Sequence, residues 1–327
     1  MRKVSVFQLA LLIGCFLYGC SERNDVKVIK LAHGLEPDHS VHQAMVFFGK
    51  RLAEMSEGTF RVDIYPSEQL GSERECIELL QIGSLGMTKV STSPLEGFVP
   101  IYKVLSLPYL FRDEEHRFQV LESEIGERFL TAAEEFGLRG LCFYDAGSRS
   151  FYTKNRPILK PEDLQGQKIR TQESATAIAM VLAMGGAPTP ISWGELYSAL
   201  QQGIVDGAEN NPPSFQLSKH YEQAKYYSLD EHTAVPDVLL MSKSQWDKYT
   251  PEEQEMILAA ARESADYQKK LWKESTRQAL EEVAQAGVEI HYPDKAPFQE
   301  AVQGLYETFA DQPDIREMIE RIKNVGT

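Results

Sequence analysis

Apolar residues recur along this chain with two different periods. Residues 26–31 alternate apolar and polar side chains, and residues 59–65 do so strictly, with Phe60, Val62 and Ile64 on one side. A two-residue repeat predicts half-buried strands. Between them Val41, Ala44, Met45, Phe48, Leu52 and Met55 fall at three- and four-residue steps. That spacing predicts one helix face, which Gly58 ends. Ser72 and Glu75 form a capping-box pattern that opens a helix running to near Gly83. Residues 85–91, 138–144, 168–172 and 187–191 read as further strands. Ser174 is placed to cap a helix closed by Gly185, and Ser192 with Glu195 makes a second capping box before a helix stopped by Gly203. Strands alternating with helices of this length predict parallel sheets flanked by helices.

One element is longer than the rest. Thr250, Pro251 and Glu253 supply an N-cap, a first-turn proline and a capping-box partner, and no further Gly or Pro occurs before Gly287. A helix over residues 251–286 is about 54 Å long at 1.5 Å per residue. Its apolar residues (Met256, Ile257, Ala260, Leu271, Leu280, Val283) do not sustain heptads. A brace lying across two lobes therefore fits better than a coiled-coil seam. No repeat and no Gly/Ser- or Pro-rich linker divides the chain, which predicts two lobes interwoven by several crossings.

The first residues stand apart from this rhythm. Arg2 and Lys3 precede an apolar run over residues 4–17, then Tyr18, Gly19 and Cys20. The run has the size of a secretory signal and is short for a membrane span. Leu17-Tyr18-Gly19-Cys20 resembles a bacterial lipobox, in which the Cys becomes the lipidated first residue; the alternative is an ordinary signal peptide with a coincidental Cys. The reading is a signal peptide over 1–19 and a lipid-anchored tether over 20–25. The mature protein is then exported and attached to a membrane of a Gram-negative envelope by its lipid alone, on the periplasmic side.

Charge and missing motifs narrow the function. The 327 residues carry 34 basic and 48 acidic side chains, a net charge of −14, which argues against a nucleic-acid partner. After Cys20 only Cys76 and Cys142 remain, and with no spacing motif they read as two isolated buried thiols, a disulfide being the alternative. His33, His39 and His42 fall in one short segment, but not at the spacing of a zinc helix, so polar lining or surface is preferred to a metal site. No nucleophile elbow, zinc-protease helix, phosphate loop or dinucleotide fingerprint is present. No cofactor, metal or catalysis is read from the chain.

Two Arg residues fall where a charge is costly. Arg170 lies in the predicted strand 168–172, and in open α/β sheets ligands gather beyond the carboxyl ends of strands. Arg149 lies in Gly147-Ser148-Arg149-Ser150-Phe151-Tyr152, at the expected crossing between lobes. A guanidinium grips a carboxylate bidentately; the alternative is that each Arg pairs with a surface acid. Asn210 and Asn211, in the polar segment 205–214, both donate and accept as a polyhydroxylated ligand demands, or else serve the turn before Pro212 and Pro213.

An ordered set of motifs covers essentially all of the mature chain: Tyr65-Pro66-x-x-Gln69-Leu70-Gly71, Leu107-Pro108-Tyr109-Leu110-Phe111, Gly166-x-Lys168-Ile169-Arg170, Glu195-Leu196-Tyr197-x-Ala199-Leu200-Gln201-x-Gly203 and Val205-Asp206-Gly207-x-Glu209-Asn210. On these the chain resembles the solute-binding proteins of tripartite ATP-independent periplasmic (TRAP) transporters. The resemblance implies an α/β, two-lobed periplasmic-binding-protein-like fold with hinge crossings and a long helix spanning both lobes. Lobe I is expected over 26–147 plus about 236–275, and lobe II over 148–235 plus about 276–327. It also implies closure over an organic acid, delivery to TRAP membrane subunits, and a monomer. Arg170 matches the family's carboxylate-clamping Arg, Arg149 a second Arg used by many members, Asn210 a recurring polar contact and Trp193 a pocket-lining ring. Residues 69–75, Met87-Thr88-Lys89-Val90-Ser91, and the segments at 147–152 and 210–214 are most similar to hexuronate receptors. For such a ligand Glu73, Ser91, Asn211, His33 and Lys89 complete the expected contacts, although an acidic Glu73 also simply suits a helix first turn. The rivals are a receptor for a C4-dicarboxylate or other organic acid, a surface lipoprotein enzyme acting on uronate-containing glycans, and a sensory receptor.

Overall fold

The computed structural model describes residues 26–309 and 311–326. The signal peptide, the tether and the lipidation site Cys20 lie outside the described residues. Two sheets organise the chain. The first runs in the order β2 (Phe60–Tyr65), β1 (Lys27–Ala32), β3 (Met87–Ser91), β10 (Asp237–Ser242), β4 (Leu138–Tyr144). The second runs β11 (Glu289–His291), β9 (Tyr226–Thr233), β5 (Arg149–Thr153), β8 (Gly207–Asn210), β6 (Lys168–Thr171), β7 (Ala187–Pro190). Helices cover both, giving a two-lobed α/β fold.

The sheets are mixed, not parallel as the alternation of elements predicted. β1 is parallel to β2 and β3, but β10 is antiparallel to β3 and β4. In the second sheet β5 is antiparallel to both β8 and β9. The reversed strands are those next to the crossings: β4 leads into β5 across residues 145–148, and β9 returns to β10 across 234–236. A strand that arrives from the other lobe enters with the direction its crossing imposes. β10 and β5 are also buried along their whole lengths, so they lack the alternation by which a half-buried strand is read.

The long helix is Pro251–Gln285, with the Thr250–Glu253 capping box formed. Ile257, Ala260, Ala261 and Ala265 enter the core beneath the first sheet. Val283, with Leu280 beside it, enters the core of the second. At the waist, Gln268 accepts from the Asp145 N–H and donates to the Asp145 carbonyl, both at 2.8 Å. The brace thus grips the crossing itself. Next to it Gly147 has φ of 58°, and a Cβ there would stand 2.9 Å from Trp272 Nε1. The hinge needs glycine at that point.

Two details depart from the sequence reading. Helix Ala296–Glu307 packs Phe298 and Val302 on the second lobe, but helix Pro313–Lys323 returns to bury Ile315, Met318, Ile319 and Ile322 in the first. The last helix therefore packs on the first lobe's core. The capping box at Ser192 does not form either. The helix starts at Leu196 with no side-chain cap, and Ser192 Oγ donates to Glu195 Oε2 at 2.9 Å. The Gly194 N–H is engaged instead by Glu68 of the first lobe. Cys76 and Cys142 are buried free thiols, pushed up by burial to about 11 and about 12.

Candidate functional site

Between the sheets lies a cavity to which both lobes contribute. Of the residues expected from sequence, Arg170, Arg149, Asn210, Asn211, Trp193, Glu73, Ser91 and Lys89 all line it. His33 does not: it is buried beside the cavity with Nδ1 accepting from the Leu35 N–H (3.1 Å) and Nε2 against His42 Nδ1 (3.0 Å). Both ring nitrogens are spent within the protein. The histidine that reaches the cavity is His39, the N-cap of helix Ser40–Met55.

Arg170 emerges from β6, which lies between β7 and β8. Its side chain is 3% exposed. Nε donates to the Ile191 carbonyl at 2.8 Å, while Nη1 is buried with no partner among the described residues. Burial pulls this guanidinium below its usual range, and the field of Glu209 offsets that only in part. A buried cation without a counter-ion is costly, and the shortfall faces the cavity.

Arg149 is in the opposite condition. β5 and β8 are antiparallel neighbours, with Ser150 opposite Asn210 and Phe151 opposite Glu209. That register brings the Arg149 guanidinium onto the Glu209 carboxylate through Nε and through Nη2 (2.9 Å to Oε1). Nη2 also donates to the Glu209 carbonyl at 2.7 Å, and Nη1 to Asn210 Oδ1 at 2.9 Å. Burial would raise the Glu209 carboxyl, but the Arg149 charge and hydrogen bonds and the nearby His232 hold it down at about 2. His232 stands 3.6 Å from Glu209 and donates from Nδ1 to Asp230 Oδ2 at 2.8 Å. Burial lowers His232, yet Asp230 and Glu209 outweigh it and carry it to about 9. The result is a buried chain of alternating charges that leaves Arg149 neutralised.

The asparagines carry structure and site together. Asn211 Oδ1 caps helix Pro212–Leu217 by accepting from the Ser214 N–H at 2.8 Å. Asn210 Oδ1 accepts from Arg149 and from the Asn211 N–H, so a ligand meets Asn210 through its amide N–H groups.

The first-lobe wall is acidic. Lys89, on β3, is held between Asp237 Oδ2 (3.1 Å) and Glu73 Oε1 (3.4 Å), and Glu73 Oε1 also accepts from the Ser91 N–H at 2.9 Å. Burial alone would lower Lys89, but Asp237 and Glu73 keep it raised. One ammonium is shared by two carboxylates, and Glu68 adds a third nearby. Sequence reasoning missed Glu68, Gln172, Asp237 and Ser214. Asp237 reaches the site only because β10 pairs it with Ser91, and no local pattern signals that. Gln172 was readable, since it follows Arg170 at the end of the same strand.

Contacts between the described residues of the two lobes close them over this space. His39 Nε2 and Ser214 Oγ lie 3.3 Å apart, Ser91 Oγ reaches Gln172 Oε1 at 3.5 Å, Glu68 Oε2 accepts from the Gly194 N–H at 3.1 Å, and Glu96 Oε1 accepts from the Thr176 N–H at 2.9 Å. Among the described residues no group of three or more His, Cys, Asp or Glu side chains is placed to hold a metal ion.

Residues 31–312 match the family described as "DctP: Bacterial extracellular solute-binding protein, family 7". A Salmonella typhimurium protein described as the uncharacterized protein YiiZ is 40% identical over 298 residues, covering 90% of this chain and 91% of that protein. Among solved structures, a TRAP periplasmic solute-binding protein from Xanthobacter autotrophicus Py2 with bound β-D-galacturonate superposes with a TM-score of 0.88 at 41% identity, covering 90% of this chain and 99% of the other. One from Pseudomonas putida F1 with bound D-glucuronate gives 0.89 at 37% identity, covering 92% and 98%.

Proposed function

Because the chain belongs to the DctP family of bacterial extracellular solute-binding proteins, we propose that it is the extracytoplasmic receptor of a TRAP transporter and binds a hexuronate such as galacturonate or glucuronate, without turnover. The observation that carries this is Arg170: a buried guanidinium with an unpartnered Nη1 lining the interlobe cavity. A ligand carboxylate completes it with bidentate geometry. Arg149 is held on Glu209, so its part is to shape the wall and fix Asn210.

The rest of the lining suits hydroxyls. Glu73, Ser91, Asn210 and Asn211 offer acceptors and donors, and a ligand lacking the matching hydroxyl would leave these buried groups unmatched. Two carboxylates on Lys89, with Glu68 also lining the cavity, disfavour a second ligand carboxylate, which speaks against a C4-dicarboxylate. Trp193, whose ring centroid lies 5.0 Å from that of His220, covers the sugar ring.

Capture works by closure. With the lobes apart, Arg170 is hydrated; closing desolvates it, which is disfavoured until a carboxylate pairs with it. Loaded and empty receptor then differ in shape, and the membrane subunits of the transporter can read that difference. The moving bodies are residues 26–147 with about 236–275, to which helix Pro313–Lys323 is joined, and 148–235 with the segment from about 276 through helix Ala296–Glu307. The place of action is the periplasm, with Cys20 as a lipidated anchor to a membrane.

The test is calorimetric titration of the purified chain with D-galacturonate, D-glucuronate, meso-galactarate and succinate. Saturable binding of a hexuronate, at least about 100-fold tighter than that of the two diacids, is the expected result. Tightest binding of succinate would replace this reading with the dicarboxylate one, and new reducing ends from an oligouronide would replace it with the enzyme.

A further inference from the structure

Glu68 sits on a turn that local preference would not choose. Ser67 and Glu68 both have left-handed backbone, with φ of 53° and 55°, a region disfavoured for residues bearing a Cβ. Contacts from a distant loop hold it: the Ser67 N–H donates to the Leu35 carbonyl and the Glu68 N–H to the His33 carbonyl, each at 3.1 Å. The turn so fixed aims Glu68 out of the first lobe at the Trp193–Gly194 corner of the second. There Oε2 accepts from the Gly194 N–H. The approach is close enough that a Cβ on Gly194 would stand 2.3 Å from Oε2.

The second oxygen has no such partner. Glu68 Oε1 is buried and unpartnered among the described residues, and Glu68 lines the cavity. A buried acceptor left unmade is unfavourable, so the group that fills the cavity has to supply a donor. In a sugar acid only the hydroxyls can donate, because the ionised carboxylate accepts only.

We infer that Glu68 binds the ligand and latches the lobes with the same carboxylate: Oε2 holds the Gly194 N–H of the second lobe while Oε1 accepts a ring hydroxyl of the bound sugar acid. The inference rests on the hexuronate reading of the cavity. It makes hydroxyl recognition and closure one event. An acid without a hydroxyl in reach satisfies Arg170 but leaves Oε1 unmatched in the closed form, so the lobes close over it less readily.

Two measurements decide it. Crystals grown with D-galacturonate are expected to show a sugar hydroxyl oxygen within about 3.2 Å of Glu68 Oε1. Glu68→Ala is expected to bind D-galacturonate roughly ten- to hundredfold more weakly than the parent chain, with the melting temperature of the ligand-free protein within about 2 °C of it. Glu68→Asn, which tolerates left-handed backbone but lacks the reach, replaces it should the alanine variant not fold. A sugar seated on Arg170 with no hydroxyl within about 4 Å of Oε1, or a variant affinity within about twofold of the parent, overturns the role of Glu68 alone. A parent chain that binds neither D-galacturonate nor D-glucuronate overturns the hexuronate reading and this inference with it.

Discussion

Arg149 and Glu209 form a buried, bidentate ion pair across the β5–β8 register, and this pair leaves Arg170 as the cavity guanidinium still lacking a carboxylate. Removing one member of a buried pair strands the other charge, at about 3–5 kcal/mol. Glu209→Gln is therefore expected to lower the thermal midpoint of the ligand-free protein by several degrees, measured by scanning calorimetry. An unchanged midpoint would show that Arg149 finds water or another acid when Glu209 is neutral.

Arg170→Ala should behave in the reverse way. Its guanidinium has no counter-ion among the described residues to strand, so the empty protein should melt within about 1 °C of the parent, or slightly higher. Hexuronate affinity should fall at least about 100-fold, since a charge-assisted bidentate contact is lost. Binding that persists at micromolar affinity in this variant would remove the clamp.

The charge chain also predicts how stability varies with pH. His232 is raised to about 9, against an unfolded value of about 6.5. The stability it contributes is complete below about 6.5 and is lost as pH rises through about 9. On the acid side Glu209, held at about 2 against about 4.3 unfolded, loses its contribution as pH falls from about 4.3 through about 2. His39 and His220, which burial first and neighbouring cations second hold near 3, add a loss that begins as pH drops below about 6.5. Thermal midpoints measured from pH 5 to 9.5 should therefore fall toward both ends. His232→Gln should flatten the alkaline limb specifically; a limb as steep as the parent's would assign it elsewhere.

Glu96 bears on affinity without lining the cavity. Its carboxylate accepts from the Thr176 N–H in the first turn of helix Ala175–Ala183, across the lobes. Glu96→Ala removes a contact made on closure, so the closed population should fall and the apparent Kd should rise by about five- to tenfold. Small-angle scattering of the ligand-free variant should show a radius of gyration no smaller than the parent's. An unaltered Kd would mean that the contact is kept in the open form as well.

Residue type, strand position and the family resemblance together named from sequence most of the expected residues that line the cavity. Arg170 stood out because a charged side chain inside a strand is anomalous, and the family resemblance gave it a role; Glu73 was named through the resemblance to hexuronate receptors alone. Of the histidine cluster, His39 and not His33 lines the cavity. Which imidazole turns toward the cleft depends on the N-cap at His39 and on the His33–His42 contact, and neither leaves a mark in spacing. Asp237 was invisible because a register between strands far apart in the chain placed it.

What the chain determined by itself is the half-buried strands, the capped helices and the family: periodicity, caps and glycine stops are local, and collinear motifs survive without knowledge of contacts. What only the tertiary structure decided is the state of each charge. Two arginines equivalent in sequence end with opposite fates because β5 meets β8 in a register that delivers a carboxylate to one and none to the other. The same holds for sheet direction, for the return of the last helix to the first lobe, and for the engagement of the Gly194 N–H, ahead of its helix, by Glu68. Each is settled by where distant segments meet, a quantity that local propensity does not encode.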